Sequence, residues 1–216
     1  MKDPVREMYD AFAADYDAMV EAEIGQPVYA EALARLAEQT RDVPGPVVDL
    51  ACGSGQMLAR YRAEFDPERR LIGVDLSPAM VAITAAKLSE GAEVRVGDMR
   101  SPNVAGAAGI LCWFALHHLP AAEIPATLAA WHDALVPGGT LSLATWEGEG
   151  LVDYGGAAEI EAFRYREAKL RAWVEQAGFV EVDCGVEPVP EMPMSAVYLW
   201  AKRAVTEGAL GARSPA

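Results

Sequence analysis

The chain has 216 residues, enough for one domain with a sizeable core, and its apolar share of 52% fits a globular protein. Its 32 acidic residues outweigh 18 basic ones for a net charge of −14, which argues against nucleic acid and anionic membranes as partners, because phosphate surfaces are bound by clustered Lys and Arg. No run approaches the roughly 20 apolar residues of a membrane span, and the scattered Cys52, Cys112 and Cys184 fit neither a disulfide framework nor a metal-ligand spacing. Met1-Lys2-Asp3-Pro4 is polar and carries no apolar signal core. A cytoplasmic protein with reduced thiols is therefore expected.

In chain order, Asp3 to Met19 has helical periodicity, with Val5, Met8, Phe12, Tyr16 and Met19 on one face. A second helix is predicted near Val28 to Gln39, and Pro44-Gly45-Pro46 breaks the chain behind it. Val47 to Leu50 then reads as a buried strand. It turns through Gly53 and Gly55 into an amphipathic helix. Leu71 to Val74 is a second apolar strand ending in Asp75. Ser77-Pro78 caps and starts a helix through Leu88. Short strands follow at Val94 to Val96 and Gly109 to Phe114. A helix over Ala121 to Leu135 ends at Pro137-Gly138-Gly139, before a strand over Thr140 to Trp146. Residues 147 to 163 read as a glycine-rich loop. A helix over Tyr165 to Ala177 precedes two alternating strands, Phe179 to Cys184 and Ser195 to Ala201, joined by a loop over Glu187 to Pro193. Residues 206–216 are expected to fray.

Strands alternating with helices imply a parallel sheet covered on both faces. The last two strands have no helix between them, so an antiparallel hairpin at the sheet edge is expected. One domain over 1–205 is expected, with 1–42 as an N-terminal helical lid and 46–202 as the α/β core.

The stretch Val47-Val48-Asp49-Leu50-Ala51-Cys52-Gly53-Ser54-Gly55-Gln56, with Asp75 about twenty residues beyond its last glycine, is a nucleotide-binding βαβ pattern. Its glycines let a ligand approach the backbone, and the acid can accept hydrogen bonds from ribose hydroxyls. A dinucleotide fingerprint wants a small residue three positions after Gly55. Leu58 stands there, which weakens a pyrophosphate reading.

On these segments, together with GVDLSPAM (73–80), VRVGDMRSP (94–102), GILCWFALHHLP (109–120), LVPGGTLSLATW (135–146) and YREAKLRAWVEQAGF (165–179), the chain resembles the class I S-adenosylmethionine-dependent methyltransferases of the small-molecule type. The N-terminal DAFAADYD (10–17) extends the likeness. The resemblance implies a Rossmann-like seven-stranded, mostly parallel sheet of order 3-2-1-4-5-7-6 with strand 7 antiparallel. It implies S-adenosylmethionine as cofactor, S-adenosylhomocysteine as product and a small-molecule acceptor methylated at O, N or C. Asp49 and the backbone of Ala51, Gly53 and Gly55 would hold the methionine moiety. Asp75 would take the ribose, with Leu76 and Met80 flanking adenine. Asp98 would receive the adenine amino group, with Met99 beside it. Trp113 would line the methionine end, and Tyr16 would close over the cofactor. Ala51 and Gln56 depart from the pattern, standing where many members carry glycine.

Methyl transfer from a sulfonium is an in-line displacement, so positioning dominates and aromatic faces can stabilise the cation. Trp113, Phe114, Tyr9 and Tyr16 are candidates. A hydroxyl acceptor also benefits from a general base, and His117 and His118 follow the strand that ends beside the transferable methyl. His117 is the favoured one; His132 reads as a surface residue. The turn Cys112-Trp113-Phe114-Ala115 lacks the (Asp/Asn)-Pro-Pro-(Tyr/Phe) pattern of base-amino methylation and the carboxylates of metal-dependent catechol methylation. No metal is expected. Trp146, Tyr154 and Phe163 mark the 147–163 loop as a substrate-facing lid, beside Arg164 and Arg166, which read as a solvated helix face. The alternatives are non-methylating use of the same cofactor, an NAD-binding oxidoreductase and a catalytically silent interaction module. The pattern leaves monomer and homodimer both open.

Overall fold

The computed structural model describes residues 3–88, 91–152, 160–189 and 193–205. Helices α1 (Pro4–Glu23) and α2 (Pro27–Thr40) open the chain, each with a proline in its first turn, where the missing N–H costs nothing. The core then alternates: β1 (Val47–Leu50), α3 (Gln56–Glu64), β2 (Leu71–Asp75), α4 (Pro78–Leu88), β3 (Ala92–Val96), β4 (Ala107–Trp113), α5 (Ile124–Ala134), β5 (Leu135–Trp146), α6 (Glu167–Gln176), β6 (Phe179–Pro188) and β7 (Ser195–Arg203). One turn of 3-10 helix, Leu116–His118, sits between β4 and α5.

The strands form one seven-stranded sheet of order β3-β2-β1-β4-β5-β7-β6. β1 to β5 pair in parallel, and β7 runs antiparallel to both β5 and β6. The expected order and edge hairpin are both observed. Alternate residues of β1 serve two cores. Val47 joins Leu33, Leu36, Leu58 and Tyr61 from α2 and α3, while Val48 and Leu50 join Leu128, Trp131, Leu170 and Val174 from α5 and α6. Burial on both faces explains why β4 reads as a continuous apolar run and why β1 and β2 are apolar but for Asp49 and Asp75.

Several boundaries differ from the sequence reading. α5 starts three residues later than Ala121 and ends at Ala134, because β5 begins at Leu135 and runs through Pro137-Gly138-Gly139. Leu135 pairs with Ala107, and a register shift between Ala107 and Gly109 absorbs the proline and the left-handed Gly138 (φ 82°). β6 continues past Cys184 to Pro188, paired residue by residue with β7, so the expected 187–193 loop is shorter. Part of that loop, part of the 147–163 loop including Tyr154, and the tail 206–216 lie outside the described residues. Among the described residues no helix is long and apolar enough to cross a membrane.

The two N-terminal helices differ in kind. α2 contributes the fully buried Leu33 and Leu36 to the core. α1 buries only Ala13, and its Phe12 and Met19 are exposed, so it lies on the domain without entering the core.

Leu58 is fully buried, and a Cβ built at Gly73 of β2 would meet its Cδ1 at 3.4 Å. The branched side chain stands between α3 and β2, where a third small residue would allow the close helix–strand packing of a dinucleotide site. Leu58→Ala should therefore open a cavity and cost about 2–5 kcal/mol, read as a lower urea midpoint at unchanged slope.

Candidate active site

The turn after β1 is built from left-handed backbone: Ala51 (φ 63°), Gly53 (φ 53°) and Gly55 (φ 83°). Both Ala51 N and Cys52 N donate to the Val74 carbonyl, at 2.7 and 3.1 Å, which anchors the turn to β2. Gly53 N donates to Asp75 Oδ2 at 2.8 Å, and Ser77 N donates to Asp75 Oδ1 at 2.9 Å. From α4, Thr84 Oγ1 donates to the Gly53 carbonyl at 2.7 Å. A Cβ at Gly55 would lie 2.6 Å from the Thr84 methyl, so glycine is required there both by φ and by space. Ala51 has no such exemption, and its left-handed backbone is a small strain held in place by the two bonds to Val74.

Ser77 caps α4 as expected: its hydroxyl accepts from Met80 N at 3.1 Å and donates to Asp10 Oδ1 at 2.6 Å. Asp10 also accepts from Ala79 N at 3.2 Å, so an α1 carboxylate sits at the start of α4.

A cavity of about 130 Å³ opens at the carboxyl ends of β1, β2 and β4, with α1 as its roof. Tyr16, Ala51, Gly53, Asp75, Leu76, Met80, Asp98, Met99, Trp113 and His118 all line it. Asp49, Gly55 and His117 do not. Asp49 is buried behind the turn, Gly55 is held against Thr84, and His117 is 3% exposed. Tyr9 and Phe114, named from sequence as aromatics that could face a cation, line it too, while Asp3, Val5 and Arg100 had not been assigned to it.

Two buried carboxyl groups, Asp75 in the cavity wall and Asp49 behind the turn, have no ion-pair partner among the described residues. Burial, and then Asp75, raises the Asp49 carboxyl to about 8. Burial raises Asp75 to about 6 against its hydrogen bonds from Ser77 and Gly53. Asp98 lies at the rim. Burial pushes its carboxyl up, but hydrogen bonds from Arg100 outweigh this and hold it below the usual range. Arg100 Nη2 lies 2.5 Å from Asp98 Oδ2, and its Nη1 reaches Glu123 Oε2 at 2.9 Å. The expected adenine acceptor is thus already engaged by a guanidinium two residues away.

The structure separates the two histidines. His118 faces the cavity, and its Nε2 lies 3.0 Å from the Tyr9 hydroxyl on α1. Burial lowers its pKa to about 4, against the pull of the Glu161 backbone and the Asp3 carboxylate. His117, favoured from sequence, is turned into the protein. Burial and the neighbouring His118 hold it neutral, and its carbonyl accepts Phe163 N at 2.7 Å. Its place explains the fixed path of the chain behind it. Trp113 is fixed by Nε1 donating to Ser142 Oγ at 2.9 Å and packs between Tyr29 and Tyr198. Phe114, left-handed at φ 52°, turns its ring onto Trp146 at 4.7 Å. His132 lies on α5 against Phe179, away from the site.

Residues 47–139 match a family model described as Methyltransferase domain. The chain is 31% identical over 189 residues to the malonyl-[acyl-carrier protein] O-methyltransferase of Hahella chejuensis, covering 86% of this chain and 64% of that relative. It is 35% identical over 119 residues to the trans-aconitate 2-methyltransferase of Streptomyces avermitilis, covering 53% of this chain and 43% of the relative. It thus spans less than two thirds of the length of the curated relatives it matches. Among solved structures, its fold is similar to the Burkholderia thailandensis 1,6-didemethyltoxoflavin-N1-methyltransferase with bound S-adenosylhomocysteine. The TM-score is 0.72 at 21% identity, covering 94% of this chain and 92% of the other. Residues 47–139 are thus similar to the Methyltransferase domain family, on a fold shared with solved methyltransferase structures.

Raised pKa values at Asp49 and Asp75 make ligand-free stability pH-dependent. An unfolded aspartate titrates near 3.9. The folded state therefore retains protons that the unfolded chain has lost. The resulting stability is complete below about pH 4 and is lost as pH rises through the folded values of about 6 and 8. The apo protein should melt at a higher temperature at pH 5.5 than at pH 8.5, and Asp49→Asn should flatten that dependence. A thermal scan against pH checks both.

Proposed function

We propose that this protein transfers a methyl group from S-adenosylmethionine to a small-molecule acceptor. The observation that carries the reading is the meeting of Gly53, Asp75 and Asp98 in one cavity, where Asp75 and the Asp49 buried behind the turn have no paired cation among the described residues. A cationic ligand suits that pair, and the glycine backbone leaves room for it to approach. When bound, the cofactor supplies an electrophilic methyl on a sulfonium. Asp75 accepts from the ribose hydroxyls, with Leu76 and Met80 along the adenine. Asp98 keeps free lone pairs for the adenine amino group beside its Arg100 bonds, with Met99 adjacent. Asp49 and the turn Ala51 to Gly55 hold the methionine end, closed by Trp113 below and Tyr16 above. Tyr16 stays a neutral phenol because burial, and then Asp75, raises its pKa.

For a hydroxyl acceptor, Tyr9 and His118 form a proton path. The proton that the acceptor gives up would pass to Tyr9 Oη while the Tyr9 proton passes to His118 Nε2. His118 starts neutral and so can receive it. Alignment of acceptor, carbon and sulfur contributes up to about 7–11 kcal/mol. α1 (Pro4–Glu23) is the lid within residues 1–42, over a core of 46–202. We further place the enzyme in the cytoplasm, a reading supported by three free thiols, two of them buried.

Calorimetry should give saturable S-adenosylmethionine binding and none for NADH; the reverse would establish an oxidoreductase. Asp75→Ala should weaken cofactor binding by about 1–3 kcal/mol, the cost of unpaired ribose donors. Unchanged affinity would remove the ribose assignment. With an acceptor that releases S-adenosylhomocysteine, His118→Ala should slow turnover by about 10²–10⁴-fold with little change in cofactor affinity, and Tyr9→Phe should follow it. Loss of affinity without loss of rate would make the pair structural.

A further inference from the structure

Gln56 stands where the glycine pattern breaks, and its side chain is only 5% exposed. Its amide joins two elements. Oε1 accepts from Ser54 Oγ in the glycine turn at 2.7 Å, and Nε2 donates to Asp17 Oδ1 on α1 at 2.7 Å. Nε2 also lies 3.4 Å from the Asp17 carbonyl. Both partners of this Nε2 are therefore on α1. The opposing partners, a hydroxyl donor and a carboxylate acceptor, fix which way the amide points. Lys87 Nζ of α4 closes the arrangement on Asp17 Oδ1 at 2.7 Å and reaches Glu21 Oε2 at 3.3 Å. The preceding residue on α1, Tyr16, lies against Gly53, where a Cβ would come within 3.2 Å of its ring.

α1 buries one residue, Ala13, so polar bonds do most of the holding. Beside the Gln56 and Lys87 contacts, Arg60 Nη1 donates to the Ile24 carbonyl at its C-terminal end, and Asp10 on Ser77 and Ala79 lies two turns away. Lifting α1 leaves the Gln56 amide without either acceptor, and an unpaired buried donor is costly. The turn and the roof thus exchange one set of bonds.

We propose that Asp17 and Gln56 are positioning residues of the methyl-transfer site, latching α1 to the glycine turn so that roof closure and the shape of the cofactor-binding turn are a single event. This rests on the reading of the cavity as a cofactor site.

The test uses the full chain and two readouts: hydrogen exchange of α1 without ligand, and S-adenosylhomocysteine dissociation by stopped flow. Gln56→Glu is nearly isosteric but turns an acceptor toward Asp17. α1 amides should exchange faster while those of β1, β4 and β5 do not, and dissociation should speed up by about tenfold, as expected for losing a charge-assisted hydrogen bond. KM for S-adenosylmethionine should rise by a similar factor with kcat changed less. The double variant D17N/Q56E exchanges donor and acceptor ends and should restore slow exchange and slow release. Should Gln56→Glu fail to fold, Asp17→Ala, on the half-exposed roof, should produce the same two changes without touching the buried pair. Normal α1 exchange in these variants, or failure of the double variant to rescue, would overturn the latch. Absence of S-adenosylhomocysteine and S-adenosylmethionine binding to the unaltered chain would instead remove the cofactor reading, leaving the exchange result to decide the latch.

Discussion

The hydrogen bond from Gly53 N to Asp75 Oδ2 joins the end of one strand to the end of its neighbour, and most of the site follows from it. It fixes the left-handed turn after β1, and it orients the acid after β2. It also explains why Asp75 retains a raised pKa without an ion pair: backbone N–H groups stabilise the carboxylate only in part, while burial works against it. Asp49, one strand over and fully enclosed, has still less compensation. The protein therefore maintains a pair of carboxyl groups at the point where parallel strands end, where ligands of such sheets bind.

That pair was legible in the sequence because it depends on local patterns. Apolar runs four or five residues long, each followed by glycine or an acid, fix β1, β2 and their turns in a way that tertiary packing reinforces. Alternation plus one missing helix indicated a parallel sheet with an antiparallel hairpin at its edge, while the strand order came from the family resemblance. What the sequence did not disclose depends on partners far apart in the chain. Asp10 and Asp17 look like solvated charges on an amphipathic helix, and only docking brings them to Ser77 and Gln56. Thr84 had a signal in retrospect, as the lone polar side chain in the apolar Met80 to Ala86 stretch. Arg100 could have been suspected from its spacing to Asp98.

The histidines show the same limit. His117 and His118 are adjacent, so sequence alone cannot tell which one a short 3-10 turn directs to the cavity. One residue of rotation gives one imidazole to Tyr9 and the other to the interior. Proline and glycine at 137–139 misled in another way. They usually end regular structure, but here they sit at the strand's entrance, beside a register shift that accommodates them.

α1 carries Glu7, Asp10, Asp15, Asp17, Glu21 and Glu23 against the single cation Arg6. Two of these acids fasten the helix to the domain: Asp10 accepts from Ser77 and Ala79, and Asp17 from Gln56 and Lys87. The acidity of α1 thus does for the roof what apolar burial does for α2, since a helix that contributes almost nothing to the core is attached by its charges instead.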